Sequence, residues 1–418
     1  MRQADEKKFS FGTKFMLILS AAVLVCTLAI LIRLSLGGVQ PAGGRTAGAQ
    51  PAAQSTAPVS GAAATAAPKQ DGTGNTEGTP EARTMSVTFA GTAVLDGEVR
   101  KNGYFNDARI YDFSENLTLL KRELKSDLNV AFIENILSDE WKTNDLIVPA
   151  TAADMLKNAG FQAAACGFAK AYDKGIEGIA STRNMLTGRG IRPLGIFESE
   201  ADDRLWMTET NGIRIAMLQV TDTMTASARK KMASKDFAEA VPAAKAEEIA
   251  GEITRARDAG AQAVIVLVQW GKAGKAADKN QQLLAQQIAE AGADLIVGAG
   301  SRVPQAMTLL QAPRADGSVA EVPCVWSLGT MLSGDRSVKR LGGILLHTVL
   351  TAENGKVSVA LSYTPLYTWK YKQDGRYYYR SLAANRGAPD GMDNDQQKNM
   401  ESVLKNVRDA MKDTLPEE

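Results

Sequence analysis

Residues 263–297 read AVIVLVQWGKAGKAADKNQQLLAQQIAEAGADLIV, in which an apolar run, an amphipathic stretch and a second apolar run follow one another. The first run (263–268) and the last (294–297) are short and rich in Val, Ile and Leu, which predicts buried strands. The stretch between them (280–291) places apolar residues at helical spacing and predicts an amphipathic helix. A strand–helix–strand unit of this kind is typical of a largely parallel sheet with covered faces.

The same alternation runs through the chain from about residue 85. Further strands are predicted at 86–90, 129–133, 161–165, 191–196, 213–220 and 322–327, and further helices at 151–159, 176–188 and 240–259. Asn-Gly pairs at 211–212 and 354–355 suit type I′ turns and predict two β-hairpins, the second of them near the C-terminal end. A charged helix is expected over about 395–412. These elements predict an α/β fold with antiparallel strands in its C-terminal part.

Composition limits the chemistry that the protein can perform. Lys and Arg total 48 and Asp and Glu total 47, so no overall field favours nucleic acid and no nucleic-acid partner is expected. The chain has one histidine, His347, although histidine is the commonest transition-metal ligand and general base near neutral pH. His347 lies in the apolar run GILLHTV (343–349), which predicts a packed or edge histidine in a strand.

The three cysteines are too few for a disulfide framework. Cys26 lies in the apolar N-terminal run, whereas Cys166 and Cys324 lie in segments that are predicted as strands. Pairing of these two in an oxidising compartment is one interpretation. The interpretation that we favour is two buried, small apolar side chains, since free cysteine is among the most buried residue types.

The N-terminal region predicts a membrane anchor. Residues 15–32 are uninterrupted and apolar, close to the minimum length for a transmembrane helix. Four basic residues precede the run and Arg33 alone follows it closely, which predicts a cytoplasmic N-terminus and an extracytoplasmic main domain. A cleaved signal peptide is the alternative, but residues 36–39 (LGGV) are not a clear cleavage site.

The chain therefore has a predicted order of five parts. They are a cytoplasmic N-terminus (1–14), a transmembrane anchor (15–36), a disordered linker rich in Ala, Gly, Thr and Pro (37–84), a folded extracytoplasmic domain (85–385) and a charged C-terminal helix or tail (386–418). The expected location is the cell membrane, with a single membrane-spanning helix. The linker would let the domain stand away from the bilayer.

Several short segments of the chain resemble, in order, the CapA family, which is named for poly-γ-glutamate capsule synthesis and is related in fold to calcineurin-like metallophosphatases. The segments are MSVTFAG (85–91), PATAADMLKNAGF (149–161), YDKGIEGI (172–179), QWG (269–271), AGADLIVG (291–298), SLG (327–329) and the stretch 363–380. The resemblance implies a metallophosphatase-like, layered α/β sandwich with antiparallel C-terminal strands, here preceded by one transmembrane helix. It covers roughly residues 85–385.

The chain departs from this family at every position that would supply a metal or phosphate contact. Aspartate, asparagine and histidine positions of the family motifs carry other residues here, while the framework around them remains. The residues at those positions are Thr92, Glu134, Lys170, Gln269, Ser301, Arg302 and Thr330. Lysine and arginine have no lone pair to offer a metal at neutral pH. The resemblance therefore implies the frame of a two-metal hydrolase without its ligands, and we expect no metal and no other cofactor.

The substitutions suggest a binding site of a different kind. Lys170 and Arg302 are predicted in loops at the carboxyl ends of strands, where open α/β sheets bind ligands. Two fixed cations there could hold a carboxylate or a phosphate without hydrolysing it. Thr92, Gln269, Ser301 and Thr330 would add hydrogen bonds. The alternative is a relaxed site in which both cations are solvated surface residues.

Three functions follow as hypotheses. The first is a non-catalytic component that binds an anionic envelope polymer or a capsule-synthesis membrane protein. The second is a hydrolase or transferase with a rebuilt, histidine-free site, in which Glu134, Asp173 and Asp222 hold Mg²⁺ or Ca²⁺. The third is a structural domain that only assembles with membrane proteins. Asp173 is more simply a cap or turn residue before Gly175, and Trp270 more simply a packed side chain than a stacking platform.

Overall fold

The structure, a computed structural model, describes residues 82–95, 97–199, 201–314, 316–335 and 337–418. The predicted cytoplasmic segment and anchor, and the linker as far as residue 81, lie outside the described residues. No helix within the described ranges is long and apolar enough to cross a membrane.

Short strands and helices alternate along the described chain. The strands are β1 (Arg83–Ala93), β2 (Tyr104–Phe105), β3 (Ile110–Tyr111), β4 (Leu128–Ile133), β5 (Ile136–Leu137), β6 (Ile147–Val148), β7 (Ala163–Ala165), β8 (Arg192–Leu194), β9 (Trp206–Thr210), β10 (Ile213–Thr221), β11 (Ala263–Gln269), β12 (Leu295–Ala299), β13 (Pro304–Pro313), β14 (Val319–Leu328), β15 (Thr330–Leu332), β16 (Gly342–Glu353), β17 (Lys356–Gln373) and β18 (Arg376–Ala383). The helices are α1 (Gly97–Asn102), α2 (Thr151–Ala159), α3 (Gly175–Thr187), α4 (Ala226–Lys231), α5 (Lys235–Ala240), α6 (Ala246–Asp258), α7 (Lys279–Glu290) and α8 (Asn394–Met411).

Most of the strands form two mixed sheets, and β2 with β3 and β5 with β6 form two small two-stranded sheets. The first has the order β18-β17-β16-β1-β4-β7-β8, with β15 beside β1, and the second has the order β13-β14-β12-β11-β10-β9. In the first sheet β1, β4, β7 and β8 are parallel, while β16, β17 and β18 are antiparallel. In the second sheet the inner strands are parallel and the edge strands β9 and β13 are antiparallel. The prediction of antiparallel strands in the C-terminal part is therefore confirmed.

The main core lies between the two sheets. Alternate residues of β1 and β4, such as Phe89 and Phe132, are buried against alternate residues of β10 and β11, such as Met217 and Leu267. Because successive side chains of a strand point to opposite faces, the remaining residues of these strands face outward. Helices α2 and α3 cover the outer face of the first sheet, and α6 and α7 cover that of the second. The chain therefore forms four layers, with helices outside and two sheets inside.

The prediction of one helix over 240–259 is wrong. Helix α5 ends at Ala240 and α6 begins at Ala246, and the residues between them are extended. Pro242 lies inside the predicted helix, and proline lacks the N–H that a helix interior requires. The extended segment instead pairs with β10: Thr221 donates to the Pro242 carbonyl at 2.9 Å, and Ala244 donates to the Thr221 carbonyl at 3.0 Å.

The C-terminal charged helix is present as α8. Asp393 and Gln396 form a capping box at its start. One face of the helix is charged, and the opposite face buries Met400, Val403 and Val407 in the main core. The helix is therefore part of the folded unit and not a detached tail.

Candidate functional site

Three charged side chains lie at the mouth between the two sheets, where parallel strands end. Glu134 directly follows β4, and Lys170 lies in the loop after β7, both in the first sheet. Arg302 lies in the loop between β12 and β13 of the second sheet. The carboxyl ends of parallel strands open onto one edge, so chain positions that are far apart converge there. We call these three residues the ionic cluster.

Arg302 and Glu134 form a bidentate ion pair in this cluster. Arg302 Nη2 donates to Glu134 Oε1 at 2.8 Å and to Oε2 at 2.7 Å, and Arg302 Nε donates to Oε2 at 3.1 Å. Lys170 Nζ lies 3.6 Å from Glu134 Oε1. Two cations thus share one carboxylate, which leaves the cluster with a formal charge of +1.

Burial decreases from Glu134 to Lys170. The exposed fraction of the side chain is 14% for Glu134, 22% for Arg302 and 39% for Lys170. The ion pair is therefore shielded from water, and shielding strengthens it relative to an exposed pair. Arg302 also has a φ of 57°, in the left-handed region that costs a non-glycine residue about 1 kcal/mol or more. The bidentate pair supplies interactions that hold this backbone in place.

The structure brings Lys170 and Arg302 together, as the binding hypothesis requires. It also places Glu134 between them, which the sequence did not indicate. Both cations contact this carboxylate, while Lys170 is also 39% exposed, so these contacts do not test the alternative of a relaxed site with solvated surface cations. That the cluster binds an external anion stays a prediction.

Two of the three predicted hydroxyl groups bond to the protein itself. Thr92 and Thr330 are buried partners in the parallel strands β1 and β15. Thr330 Oγ1 donates to the Arg340 carbonyl at 2.7 Å, and Ser301 Oγ donates to the Val303 carbonyl at 2.8 Å. The hydroxyls of Thr330 and Ser301 therefore stabilise loops around the mouth and are not presented to a ligand.

Gln269 and Trp270 are also held inside the fold. The Gln269 side-chain amide and the Thr223 hydroxyl bond to each other, with Nε2 and Oγ1 2.7 Å apart. Trp270 is 1% exposed, its Nε1 donates to the Trp326 carbonyl at 3.0 Å, and the two indole rings lie 5.4 Å apart. Trp270 is a packed side chain, as the simpler interpretation predicted.

The three acidic residues of the histidine-free hypothesis do not form one site. Glu134 is paired with Arg302, and Asp173 accepts a hydrogen bond from the Thr225 hydroxyl. Helix α3 has no side-chain cap, so of the two expected roles Asp173 does not cap the helix but lies in the turn before Gly175. Much of Asp222 is exposed, yet partial desolvation and the neighbouring Asp278 charge raise its pKa. Among the described residues, no three His, Cys, Asp or Glu side chains are grouped so as to hold a metal ion.

Comparison with known proteins identifies the family. A family model described as bacterial capsule synthesis protein PGA_cap matches residues 86–335. The chain belongs to the PGA_cap family. The resemblance to CapA that the sequence motifs indicated is thereby confirmed. Among solved structures, the chain is similar to the calcineurin-like phosphoesterase YfkN from Bacillus subtilis, with 12% identity, a TM-score of 0.42, and coverage of 79% of this chain and 99% of that chain. No curated protein matches the chain.

In this PGA_cap protein the only histidine is structural. His347 lies in β16, with Nδ1 3.0 Å from the Thr88 hydroxyl and Nε2 2.8 Å from the Thr364 hydroxyl. Burial lowers its pKa, while the nearby Glu418 carboxylate acts in the opposite direction. The prediction of a packed histidine is confirmed.

The two described cysteines of the PGA_cap domain are free and buried. Cys166 lies in the outer core of the first sheet and Cys324 in that of the second. The interpretation as buried apolar side chains is confirmed, and these two cysteines do not pair.

The sequence reasoning missed a cleft of about 860 Å³ at the edge of β10. Residues 201–204, α5, the extended segment after it and α6 form its walls. None of its lining residues belongs to the ionic cluster. Pro242 was the available signal, because a proline inside a helical pattern predicts a break, and here the break forms one wall.

Proposed function

We propose that this PGA_cap protein is a non-catalytic component of capsule synthesis that binds an anionic envelope polymer at the ionic cluster. The proposal includes the anchor predicted from the sequence, which would hold the domain at the outer surface of the cell membrane. The observation that carries it is the bidentate pair between Arg302 and Glu134, at positions where the resemblance places metal-site motifs.

The charges of the cluster support a role without bound metal ions. Neither guanidinium nor ammonium has a lone pair for a metal. Both oxygens of Glu134 already accept from Arg302, so the carboxylate has little capacity left as a ligand. A divalent cation at this mouth would also be repelled by Lys170 and Arg302. These features disfavour the two-metal clamp that hydrolysis of a phosphoester requires.

The same charges support binding of a polyanion. The cluster keeps one net positive charge, and Lys170 is its most exposed member. One lysine gives weak attraction for a single carboxylate. A polymer with many carboxylates presents a high local concentration of them, so weak contacts add to a useful affinity.

Metal content tests the absence of a hydrolytic centre. The full-length protein is incubated with Mn²⁺, Zn²⁺ and Mg²⁺, excess metal is removed, and the retained metal is measured by mass spectrometry. We expect far less than one metal ion per chain and no hydrolysis of bis-p-nitrophenyl phosphate. Stoichiometric metal that is lost in Asp173→Asn or Asp222→Asn would overturn the proposal in favour of the histidine-free enzyme.

Polymer binding tests the positive part of the proposal. Poly-γ-glutamate is titrated at low salt against the wild type, Lys170→Gln, Glu134→Gln and the control Lys412→Gln, whose side chain is exposed at the end of α8. Lys170→Gln should weaken binding about threefold to tenfold, since a charge contact contributes about 1 kcal/mol. Glu134→Gln should strengthen binding, because it removes the internal competitor for both cations. Equal binding by all four proteins would exclude the ionic cluster as the binding site.

A further inference from the structure

The cleft beside β10 contains an interrupted position in the second sheet. Met217 pairs with Trp206 of β9, and Thr221 pairs with the segment around Ala243. These two partners lie along the same edge of β10, but they do not meet. Gln219 lies between them and lines the cleft, together with Leu218 and Val220.

The main chain of Gln219 points into this gap. The N–H and the C=O of Thr221 bond to the extended segment and not to β11. Alternate residues of a strand direct these groups to the same side, so those of Gln219 point along the same edge. Neither group bonds to the main chain of the described segments outside the strands, including those on either side of the gap. The residue is nonetheless only 1% exposed. Its side-chain amide accepts from the Gly167 N–H and donates to the Gly167 carbonyl, so the side chain does not bond to its own main chain.

Two sequence features create the gap. If the parallel register of Thr221 with Ala243 continued, the N–H of residue 242 would donate to the Gln219 carbonyl. Residue 242 is proline and has no N–H to donate. On the β9 side of the gap, the Leu205 N–H donates to Asp203 Oδ1 at 3.1 Å. This bond is made just before β9 begins at Trp206, so the Leu205 N–H is not available to β10.

Most of the charged side chains around the cleft are in ion pairs, and the guanidinium of Arg204, which also lines it, donates to the Glu239 carbonyl. Lys235 contacts Glu239 at 3.3 Å, Lys245 contacts Glu248 at 2.7 Å, and Arg255 contacts Glu252 at 2.6 Å. The floor is apolar and includes Leu218 and Ile249. An isolated carboxylate or phosphate would therefore find little free positive charge. A neutral group that carries both a donor and an acceptor fits better.

Gly251 lines the cleft on the side of α6. It lies in the interior of that helix, where glycine is less stable than alanine. A Cβ atom at this position would have no heavy atom within 4 Å, so packing inside the protein does not require a glycine. The position faces the open cleft.

We infer that the cleft binds a short, extended peptide, which completes the sheet edge at Gln219. The peptide's carbonyl accepts from the Gln219 N–H, and one of its N–H groups donates to the Gln219 carbonyl. This is strand addition, in which main-chain hydrogen bonds provide affinity and side-chain pockets provide selectivity. The apolar floor favours small or β-branched side chains at the centre of the peptide. The site is independent of the ionic cluster and of the function proposed for it.

The probe is acetyl-alanyl-valyl-alanyl amide, labelled with fluorescein through a flexible linker and titrated against the full-length protein by fluorescence anisotropy. Its partner probe replaces the central amide by an ester, which removes the N–H donor, keeps the shape and makes the adjoining carbonyl a weaker acceptor. We expect saturable binding of the amide and about tenfold weaker binding of the ester, the effect of one hydrogen bond. Equal binding of both probes, or no saturation up to millimolar protein, would overturn the inference. Water would then be the partner of the Gln219 main chain.

Variants in the cleft complete the test. Gly251→Phe should abolish binding by filling the open space, while Gly251→Ala should bind like the wild type. Both residues favour a helix more than glycine does, so both variants should fold. Pro242→Ala supplies the missing N–H to Gln219 and should also weaken binding. Unchanged affinity in Gly251→Phe would show that the peptide binds elsewhere.

Discussion

Glu134 and Arg302 come from different sheets, are 168 positions apart in the chain, and meet through three hydrogen bonds of 2.7–3.1 Å. The pair connects the end of β4 to the loop after β12 at the mouth of the fold. It therefore contributes both to the stability of the domain and to the charge of the candidate site. These two contributions are separable by substitution.

Breaking the pair on one side should destabilise the protein. Arg302→Met leaves Glu134 shielded from water with only Lys170 nearby, and we expect a loss of about 2 kcal/mol, between the values for exposed and buried pairs. The double variant Glu134→Gln with Arg302→Met should lie within about 1 kcal/mol of the wild type, since the only charge left without its partner is that of Lys170, the most exposed member of the cluster. Urea denaturation of the wild type, the two single variants and the double variant gives the coupling energy between Glu134 and Arg302. Additive effects would show that the two residues act independently.

The same substitution at two glycines should have opposite effects. A Cβ atom at Gly298 would lie 2.1 Å from the Trp326 carbonyl oxygen and 2.6 Å from Trp270 Nε1. We expect Gly298→Ala to lose about 3 kcal/mol or more, because backbone atoms must move. Gly251→Ala should gain up to about 1 kcal/mol from helix propensity. Thermal unfolding compares the two variants, and equal midpoints would contradict the packing described here.

Acidification should weaken the fold through His347. Burial lowers the folded-state pKa of this histidine below the ordinary value of 6.5, against the opposing influence of Glu418 and Glu123. Below pH 6.5 the unfolded chain therefore binds a proton that the folded chain does not, and stability falls as the pH falls through this range. The urea midpoint should drop between about pH 7.5 and pH 5.5 in the wild type and drop less in His347→Gln. The Glu417 carboxyl has a lowered pKa, so its contribution is lost only at more acidic pH.

The two described cysteines should be unreactive in the folded protein. Burial raises the pKa of the Cys166 thiol to about 12 and that of Cys324 well above its usual value, so almost no thiolate forms near neutral pH. Iodoacetamide should label both only after unfolding, as read by peptide mass spectrometry. Reducing agent should leave the thermal midpoint unchanged. Rapid labelling of Cys166 in the native protein would show that its segment opens locally.

Local pattern in the sequence predicted most of the fold. The helix over 151–159 and the hairpin around Asn211 and Gly212 depend on periodicity and turn chemistry, which are properties of neighbouring residues. The predicted helix over 240–259 failed where Pro242 overrides an otherwise helical pattern. The division into two sheets depends on pairings between distant strands, and no local pattern encodes these.

The candidate site was predicted less completely than the fold. The motif positions correctly predicted that Lys170 and Arg302 lie close together, because strand order determines which loops meet at the mouth between the sheets. The counter-ion role of Glu134 was missed, since the side-chain direction across two sheets depends on the geometry of both. The hydroxyls of Ser301 and Thr330 were assigned to a ligand, but short loop hydrogen bonds use them.

The guanidinium of Arg302 connects the two sheets at the mouth by its contact with Glu134. A guanidinium stays protonated throughout the conditions in which proteins remain folded. A mouth held closed by metal ions would depend on how much metal the surroundings supply and would open when a chelator removed it. The contact between Arg302 and Glu134 needs nothing from outside the chain. This part of the fold should therefore persist in a metal-starved medium, and chelators should leave its geometry unchanged.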